Sequence, residues 1–514
     1  MNEEKTMILD VDESPKRIRD WLVLSLQHVL AMFVACISVP LLVFAASISV
    51  PEGYANAGEI VSYVNANGQA LADTMIAPTL VAAGVGTLFY IFLTKMKSPV
   101  FLASSFAYIA PMSSALLLGA EPVMATSTGL AIATEGSLVV GYFANLWALP
   151  IGMSVVGLIY VIVAILIRFV GVGWLERLLP TIVIGPVIMV IGLGLSSSAI
   201  ANLEAASGSG DSYNLLAILC GLFAMAVTAV CAHYGKKGIA LIPFVLGMLG
   251  GYLLAAVLTL IGYYGCGNSY FHIVDFSPLV DNFSEIGVSS FINLPSFLFL
   301  PENFQASVSL TPSHLWSILL LFGPVSLVTI CEHIGDHKNL SGILRRDLLE
   351  DPGLARTLAG DGIATALSGF LCGAANTTYG ENVAVVGVTK IASVKVIILA
   401  CLVTIALGFL SPLMALIQTI PTCVTGGVSL LLYGFIASSG VKMLISERID
   451  FGKTRNIFIA SLILVSGIGG LAISFAVGDA QISVTSTAVS MILGILANQL
   501  LKEKQDAEEP TSAE

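Results

Sequence analysis

From Trp21 to Leu500 the chain is a succession of apolar runs, most of them about 20 residues long, broken by short polar stretches. A helix of that length spans the roughly 30 Å hydrocarbon layer of a bilayer, and lipid leaves a single run no other way to satisfy its backbone. Hydrophobic residues make up 56% of the 514 and charged residues only 11%, too few to coat a soluble globule. The expected class is an all-α polytopic protein of the cell membrane, with the lipid bilayer as its solvent. The net charge of −11 says little about partners, because the acids gather in loops and tails. Met1 to Glu13 is polar and acidic, and the first apolar run is already a full span, so no cleavable signal is expected. The eight cysteines, scattered without metal-ligand spacing and mostly inside apolar runs, read as small buried hydrophobes.

Ordinary spans are expected near 21–44, 77–93, 147–167, 178–198, 214–233, 239–263, 315–334, 358–374, 391–411, 422–441, 456–476 and 482–501. Two further segments are unusual. One, Ser98 to Pro111, is Ser-rich and bracketed by prolines; the other begins Asn376-Thr377-Thr378-Tyr379-Gly380-Glu381-Asn382 and is closed early by Lys390. A charged carboxylate at the bilayer centre costs about 2.5–3.5 kcal/mol on insertion scales. Short, polar, interrupted segments are tolerated at that depth where protein buries them or where they line a cavity. Together with the ordinary spans they give about fourteen crossings.

The basic residues agree with that count. With the N-terminus inside, all 22 Lys and Arg fall on the cytoplasmic side, from Lys5, Lys16, Arg17 and Arg19 through Lys95 and Lys97 to Lys502 and Lys504. The opposite loops at 48–76, 120–146 and 264–314 hold none. The positive-inside rule then places both termini in the cytoplasm. Two broken segments half a chain apart, with an odd number of spans per half, point to a 7+7 inverted repeat. The loop 264–314 carries apolar clusters (Phe291, Phe297, Phe299) expected to pack in part on the outer face, and the acidic end from Gln505 is expected to be disordered.

Glu332, in Ile330-Cys331-Glu332-His333, is the second acid set in an apolar run; its alternative role is to end a helix near Asp336, Lys338 and Arg345. For Glu381 the alternative is a structural carboxylate held by a buried donor. If both acids face one cavity, burial and like charge favour protonation of one of them, which ties a proton gradient to substrate movement. Such a pair repels anions and suits a cation or a neutral molecule rich in N–H groups. Gln27 and His28, early in the first span, either brace the acids or form a satisfied polar pair between helices. His333, Asp336 and His337 read as solvated groups at the cytoplasmic mouth rather than a proton relay, and Asp361, between Gly360 and Gly362, reads as a helix cap. Phe106 sits where a half-helix would start, there to pack or to offer its N–H and ring face.

These stretches resemble the nucleobase–ascorbate transporter family, and its uracil-type members above all. Gln27-His28-Val29-Leu30-Ala31-Met32-Phe33, Ser104-Ser105-Phe106, Glu332-His333-Ile334-Gly335 and the segment Asn376 to Asn382 are similar to the family's signatures in its first, third, eighth and tenth segments. The resemblance runs from about Asp20 to Lys502. It implies a core domain (21–170 and 315–412) and a gate domain (171–263 and 413–501), flanked by a cytoplasmic segment 1–20, an extracytoplasmic loop 264–314 and a cytoplasmic tail 502–514. The two broken segments would each hold a short strand followed by a half-helix, meeting near the midplane. Glu332 and Glu381 would be the substrate carboxylates, Ala35, Phe106 and Gly380 would line the pocket, and Tyr379 would lie beside it. Glu332, Glu381 and His28 would carry proton coupling, with no cofactor and no metal. A homodimer through the gate domains is implied, and no nucleic-acid partner. Two departures stand out: the family's Asn-x-Gly reads Asn382-Val383-Ala384 here, and the position four after Glu332, a His in some members, is Asp336, with His337 one place later.

The function implied is import of a neutral nucleobase, uracil first, by proton symport. A purine permease for xanthine or urate, and a sodium-coupled member, are the alternatives within the family. An anion exchanger of related architecture is disfavoured by two acids and no base at the broken segments. A membrane enzyme is disfavoured because no nucleophile elbow, metal-ligand spacing or phosphate loop is found.

Overall fold

A computed structural model of the protein describes residues 7–45, 57–116, 118, 122–126, 129–132, 141–142, 146–209, 213–236, 239–297, 312–477 and 480–501. The first half of the chain contains α1 (Ile18–Ala45), α2 (Ala57–Leu93), β1 (Leu102–Ser104), α3 (Ile109–Leu116), β2 (Pro122–Thr126), β3 (Gly129–Ile132) and β4 (Gly141–Tyr142). It continues through α4 (Ala148–Val170), α5 (Gly173–Leu178), α6 (Thr181–Gly194), α7 (Ser196–Glu204), α8 (Leu215–Tyr234), α9 (Pro243–Leu258) and α10 (Ser277–Asn282). The second half contains α11 (Pro312–Leu344), α12 (Leu354–Phe370), β5 (Asn376–Thr378), α13 (Gly380–Thr389) and α14 (Val394–Gly408). It ends with α15 (Ser411–Gln418), α16 (Thr422–Ser446), α17 (Thr454–Ile468), β6 (Ile473–Val477), β7 (Ala480–Val484) and α18 (Ser486–Leu500).

The chain is a mostly helical membrane protein. Among the described residues, eight helical stretches are long and apolar enough to cross a bilayer, and four shorter apolar ones accompany them, three of them α14, α17 and α18. The expectation of an all-α protein needs correction. Besides the two short strands of the broken segments, β3-β2-β4 form a three-stranded antiparallel sheet in the connection before α4, and β6 pairs with β7 in a hairpin. That hairpin cuts into both of the last two expected spans. Its β-branched residues Ile473, Val477, Ile482 and Val484 favour a pleated strand, and an averaged hydropathy reads them as more helix. Residues 57–73, expected as loop, extend α2 instead, since no proline interrupts the chain between Pro51 and Pro78.

Loop 264–314 does pack inward where it is described. Phe297 is buried with its ring 6.4 Å from that of Phe409, and Ser411 donates its N–H to Phe291 O and its hydroxyl to Ser289 O. Phe291 itself stays half exposed, and Phe299 lies outside the described residues.

The helices pack as two groups. In the first, α12 lies along α4 and α2, α14 along α2 and α1, and α11 along α4. In the second, α16 lies along α6, α7 and α8, α8 along α9, and α17 along α6 and α18. Small residues allow these close crossings, as is usual where lipid removes the hydrophobic drive between helices. At α4–α12, a Cβ on Gly157 would lie 2.7 Å from Gly362 O, and one on Gly362 would lie 2.5 Å from Tyr160 Cβ. Gly362→Leu is therefore expected to wedge α12 off α4, and size-exclusion in detergent should show aggregate in place of a monodisperse protein.

Candidate functional site

The two broken segments pair with each other. β1 and β5 form a three-residue antiparallel ladder, with Leu102 opposite Thr378, Ala103 opposite Thr377 and Ser104 opposite Asn376. Ser105 N–H to Ala375 O (2.8 Å) and Tyr379 N–H to Phe101 O (3.2 Å) extend it at both ends. This pairing satisfies the backbone that a broken helix would leave bare in the apolar layer. Because the strands run antiparallel, the turn Phe106–Tyr108 leading into α3 leaves one end of the ladder and α13 leaves the other. The first N–H groups of each half-helix have no intrahelical acceptor and stand beside the ladder with the positive end of the helix dipole.

The expected site residues gather around this ladder. Glu381 is the second residue of α13, and Tyr379, its N-cap, is nearly sealed at 6% exposure. Glu332 comes from α11, which packs against β5, α13 and the Phe106–Tyr108 turn. Tyr108 and Thr329, one turn before Glu332, hold that contact with hydroxyls 2.8 Å apart. Glu332, Glu381 and Gly380 keep partial exposure while Cys331, His333, Tyr379 and Asn382 around them are buried, so the acids face an internal space. The Glu332 carboxyl lies within electrostatic reach of Glu381, Asp336 and Asp361, and Asp336 within reach of Glu381. Ala35 is buried on α1, and its neighbour Cys36 accepts a hydrogen bond from Ser104 of β1. Phe106 packs its ring edge-on against Tyr433 of α16, with centroids 5.8 Å apart, so the second helix group closes the side of the site.

Several expectations change. Of the two readings of His28, the structure fits the polar pair between helices: its Nδ1 lies 3.2 Å from Asn382 Oδ1, so it braces α13 beside Glu381. His333 and His337, expected at a solvated mouth, are fully buried, because α11 continues past them to Leu344 and their part of it packs inside the helix bundle. Asp361 is no cap. It lies midway along α12, fully buried, with Oδ2 2.8 Å from His333 Nδ1. Asp336, which the sequence placed near the surface, sits in the site. A Cβ on Gly380 would lie 3.3 Å from its Oδ1, and among the described residues its Oδ2 has no hydrogen-bond partner. The i, i+4 spacing from Glu332 puts both acids on one face of α11, a signal that was present in the sequence.

The Permease family model Xan_ur_permease matches residues 19–475. The chain belongs to the nucleobase–ascorbate transporter family. Nucleobase–ascorbate transporter relatives include the uracil permease of Bacillus caldolyticus, 37% identical over 98% of this chain and 96% of that one. The uracil permease of Escherichia coli K12 is 30% identical over 95% and 93%. Among solved structures, the murine Solute Carrier 26 family member A9 anion transporter in its inward-facing state superposes with a TM-score of 0.57 at 11% identity, covering 95% of this chain and 69% of that one. The transmembrane domain of the cyanobacterial bicarbonate transporter BicA does so with 0.51 at 12% identity, covering 95% and 99%. At that identity the likeness concerns fold alone. As a member of the nucleobase–ascorbate transporter family, the protein is a nucleobase permease and not an enzyme.

Proposed function

We propose that this permease imports uracil together with protons by alternating access. The observation that carries the proposal is the meeting, at one ladder, of two half-helix N-termini with the carboxyls of Glu332 and Glu381. Uracil is neutral and alternates carbonyl acceptors with N–H donors. A carboxylate accepts from its N–H groups, while half-helix N–H groups or a protonated acid donate to its carbonyls. Phe106 offers a ring face beside the site, with Ala35, Tyr379 and Gly380 as its walls. Glu332 or Glu381 takes a proton from outside, uracil closes the site, and one helix group moves against the other. We read the helices and broken segments as fourteen crossings in a 7+7 repeat, the first packing group being the core and the second the gate. The face rich in Lys and Arg, with both termini, is cytoplasmic in this reading, and gate domains pair in a homodimer.

Proteoliposomes with an imposed pH gradient test this. With the outside one unit more acidic, labelled uracil should accumulate up to about tenfold per coupled proton, and a protonophore should abolish the accumulation. Excess xanthine should not compete, and replacing sodium should change nothing. Accumulation that follows sodium, or that xanthine blocks, would shift the protein to a sodium-coupled or purine-carrying role.

A further inference from the structure

Five fully buried polar side chains lie outside the substrate contacts just described: Tyr90 on α2, Ser98 in the linker before β1, His333 and His337 on α11, and Asp361 on α12. Buried polar groups destabilise a protein unless they are bonded, and these are bonded to one another. Ser98 Oγ lies 2.8 Å from Tyr90 Oη, Tyr90 Oη 2.7 Å from His337 Nε2, and His337 Nδ1 2.8 Å from His333 O. A peptide carbonyl only accepts, so Nδ1 of His337 carries the hydrogen. Its Nε2, in the neutral ring, then accepts from the Tyr90 hydroxyl, whose oxygen accepts from Ser98. The row has a defined polarity from Ser98 to His337.

Its two ends lie in different surroundings. Ser98 follows Lys97, a half-exposed residue at the basic face that pairs with Asp351 at 2.6 Å. At the inner end the His337 ring stacks on that of His333, with centroids 4.1 Å apart and planes at 25°. His333 in turn contacts Asp361, and among the described residues its Nε2 has no partner. Asp361 acts electrostatically on Glu332, Asp336 and Tyr90. The titratable groups around His337 are thus Tyr90 from α2, His333, Asp336 and Glu332 from α11 and Asp361 from α12. Lys338, next in sequence, is exposed and turned to Glu176.

We propose that His333, His337, Tyr90 and Ser98 form the route by which the proton leaves the acid cluster for the cytoplasm. The proposal rests on the proton-symport reading above. The proton passes from the Asp361–His333 pair to Nε2 of His337, which donates to the Tyr90 oxygen as the two hydroxyls turn outward. Tyr90 then donates to Ser98, and Ser98, sealed in this state, passes its own proton on only when water enters beside half-exposed Lys97. The stacked rings share no hydrogen bond and Nε2 of His337 faces Tyr90, so the handover requires the His337 ring to swing Nε2 toward His333 and back. A break of this kind keeps an unloaded symporter from leaking protons.

Tyr90→Phe tests the route. It keeps the ring that fills the space beside Gly360, where a Cβ would lie 3.0 Å away, and removes only the hydroxyl. In proteoliposomes, net uracil uptake driven by a pH gradient should fall by about tenfold or more, as for loss of a positioned proton carrier. Exchange of internal for external uracil at equal pH moves no net proton and should stay within about twofold of wild type, at unchanged uracil affinity. Ser98→Ala should show the same split and serves if Tyr90→Phe is poorly produced. Wild-type net uptake in these variants, or equal loss of exchange and net uptake, would overturn the proposal. Wild-type uptake that ignores the pH gradient would instead remove the symport reading beneath it.

Discussion

Glu381→Gln is expected to abolish uphill accumulation of uracil while leaving a weakened, passive exchange. Glutamine matches the shape of glutamate, keeps an acceptor oxygen and fits the same first turn of α13, so the ladder and the half-helix should form unchanged. What it cannot do is bind and release a proton. It also replaces a charge-assisted hydrogen bond by a neutral one, and bonds to charged groups contribute about 1.5–3 kcal/mol. Affinity should fall by roughly ten- to a hundredfold, and at saturating uracil the exchange of internal for external label should persist. Accumulation above the outside concentration should be absent at every pH gradient. Undiminished uphill uptake by Glu381→Gln at matched membrane abundance would show that the coupling proton sits elsewhere.

The part of the site from Asn376 to Asn382 was legible because polarity there conflicts with its surroundings. Asn376 to Asn382 interrupts an apolar run, and only a buried or cavity-lining role resolves the conflict. Azimuth was harder to read than depth. Hydropathy placed His333 and His337 near the end of a span, yet α11 runs on past them to Leu344, and their rings turn inward toward Tyr90 and Asp361. Gly360 and Gly362 around Asp361 looked like the loose frame of a cap. They are instead what lets α12 lie against Tyr90 and Tyr160, which brings Asp361 to His333. His28 was recognised as a polar residue with a task, but its partner lies 354 positions away on Asn382. The β1–β5 register is of the same kind. Three residues from each half of the chain pair across more than 270 positions, and no local pattern encodes which three.

Glu332→Gln separates the two carboxyls by function. If Glu332 merely ended a helix, an amide there would change little, since surface substitutions away from special features stay within about 0.5 kcal/mol. The structure puts it elsewhere: α11 continues for twelve residues to Leu344, the neighbours Cys331 and His333 are buried, and Thr329 one turn earlier is tied to Tyr108. In the proposed site the side chain faces the same internal space as Glu381, where its carboxyl would accept from an N–H of the bound ring. Its replacement should weaken uracil binding by about ten- to a hundredfold, measured by titration of labelled uracil on purified protein. Glu332→Asp keeps the charge but withdraws it by one methylene, so its loss should fall between those of wild type and Glu332→Gln. Asp336, on the same face one turn further along, is not expected to substitute in either variant, because its carboxyl abuts Gly380 at the start of the half-helix. Unchanged affinity in Glu332→Gln would leave Glu381 as the sole acid holding the ring, and the two-carboxyl site would have to be abandoned.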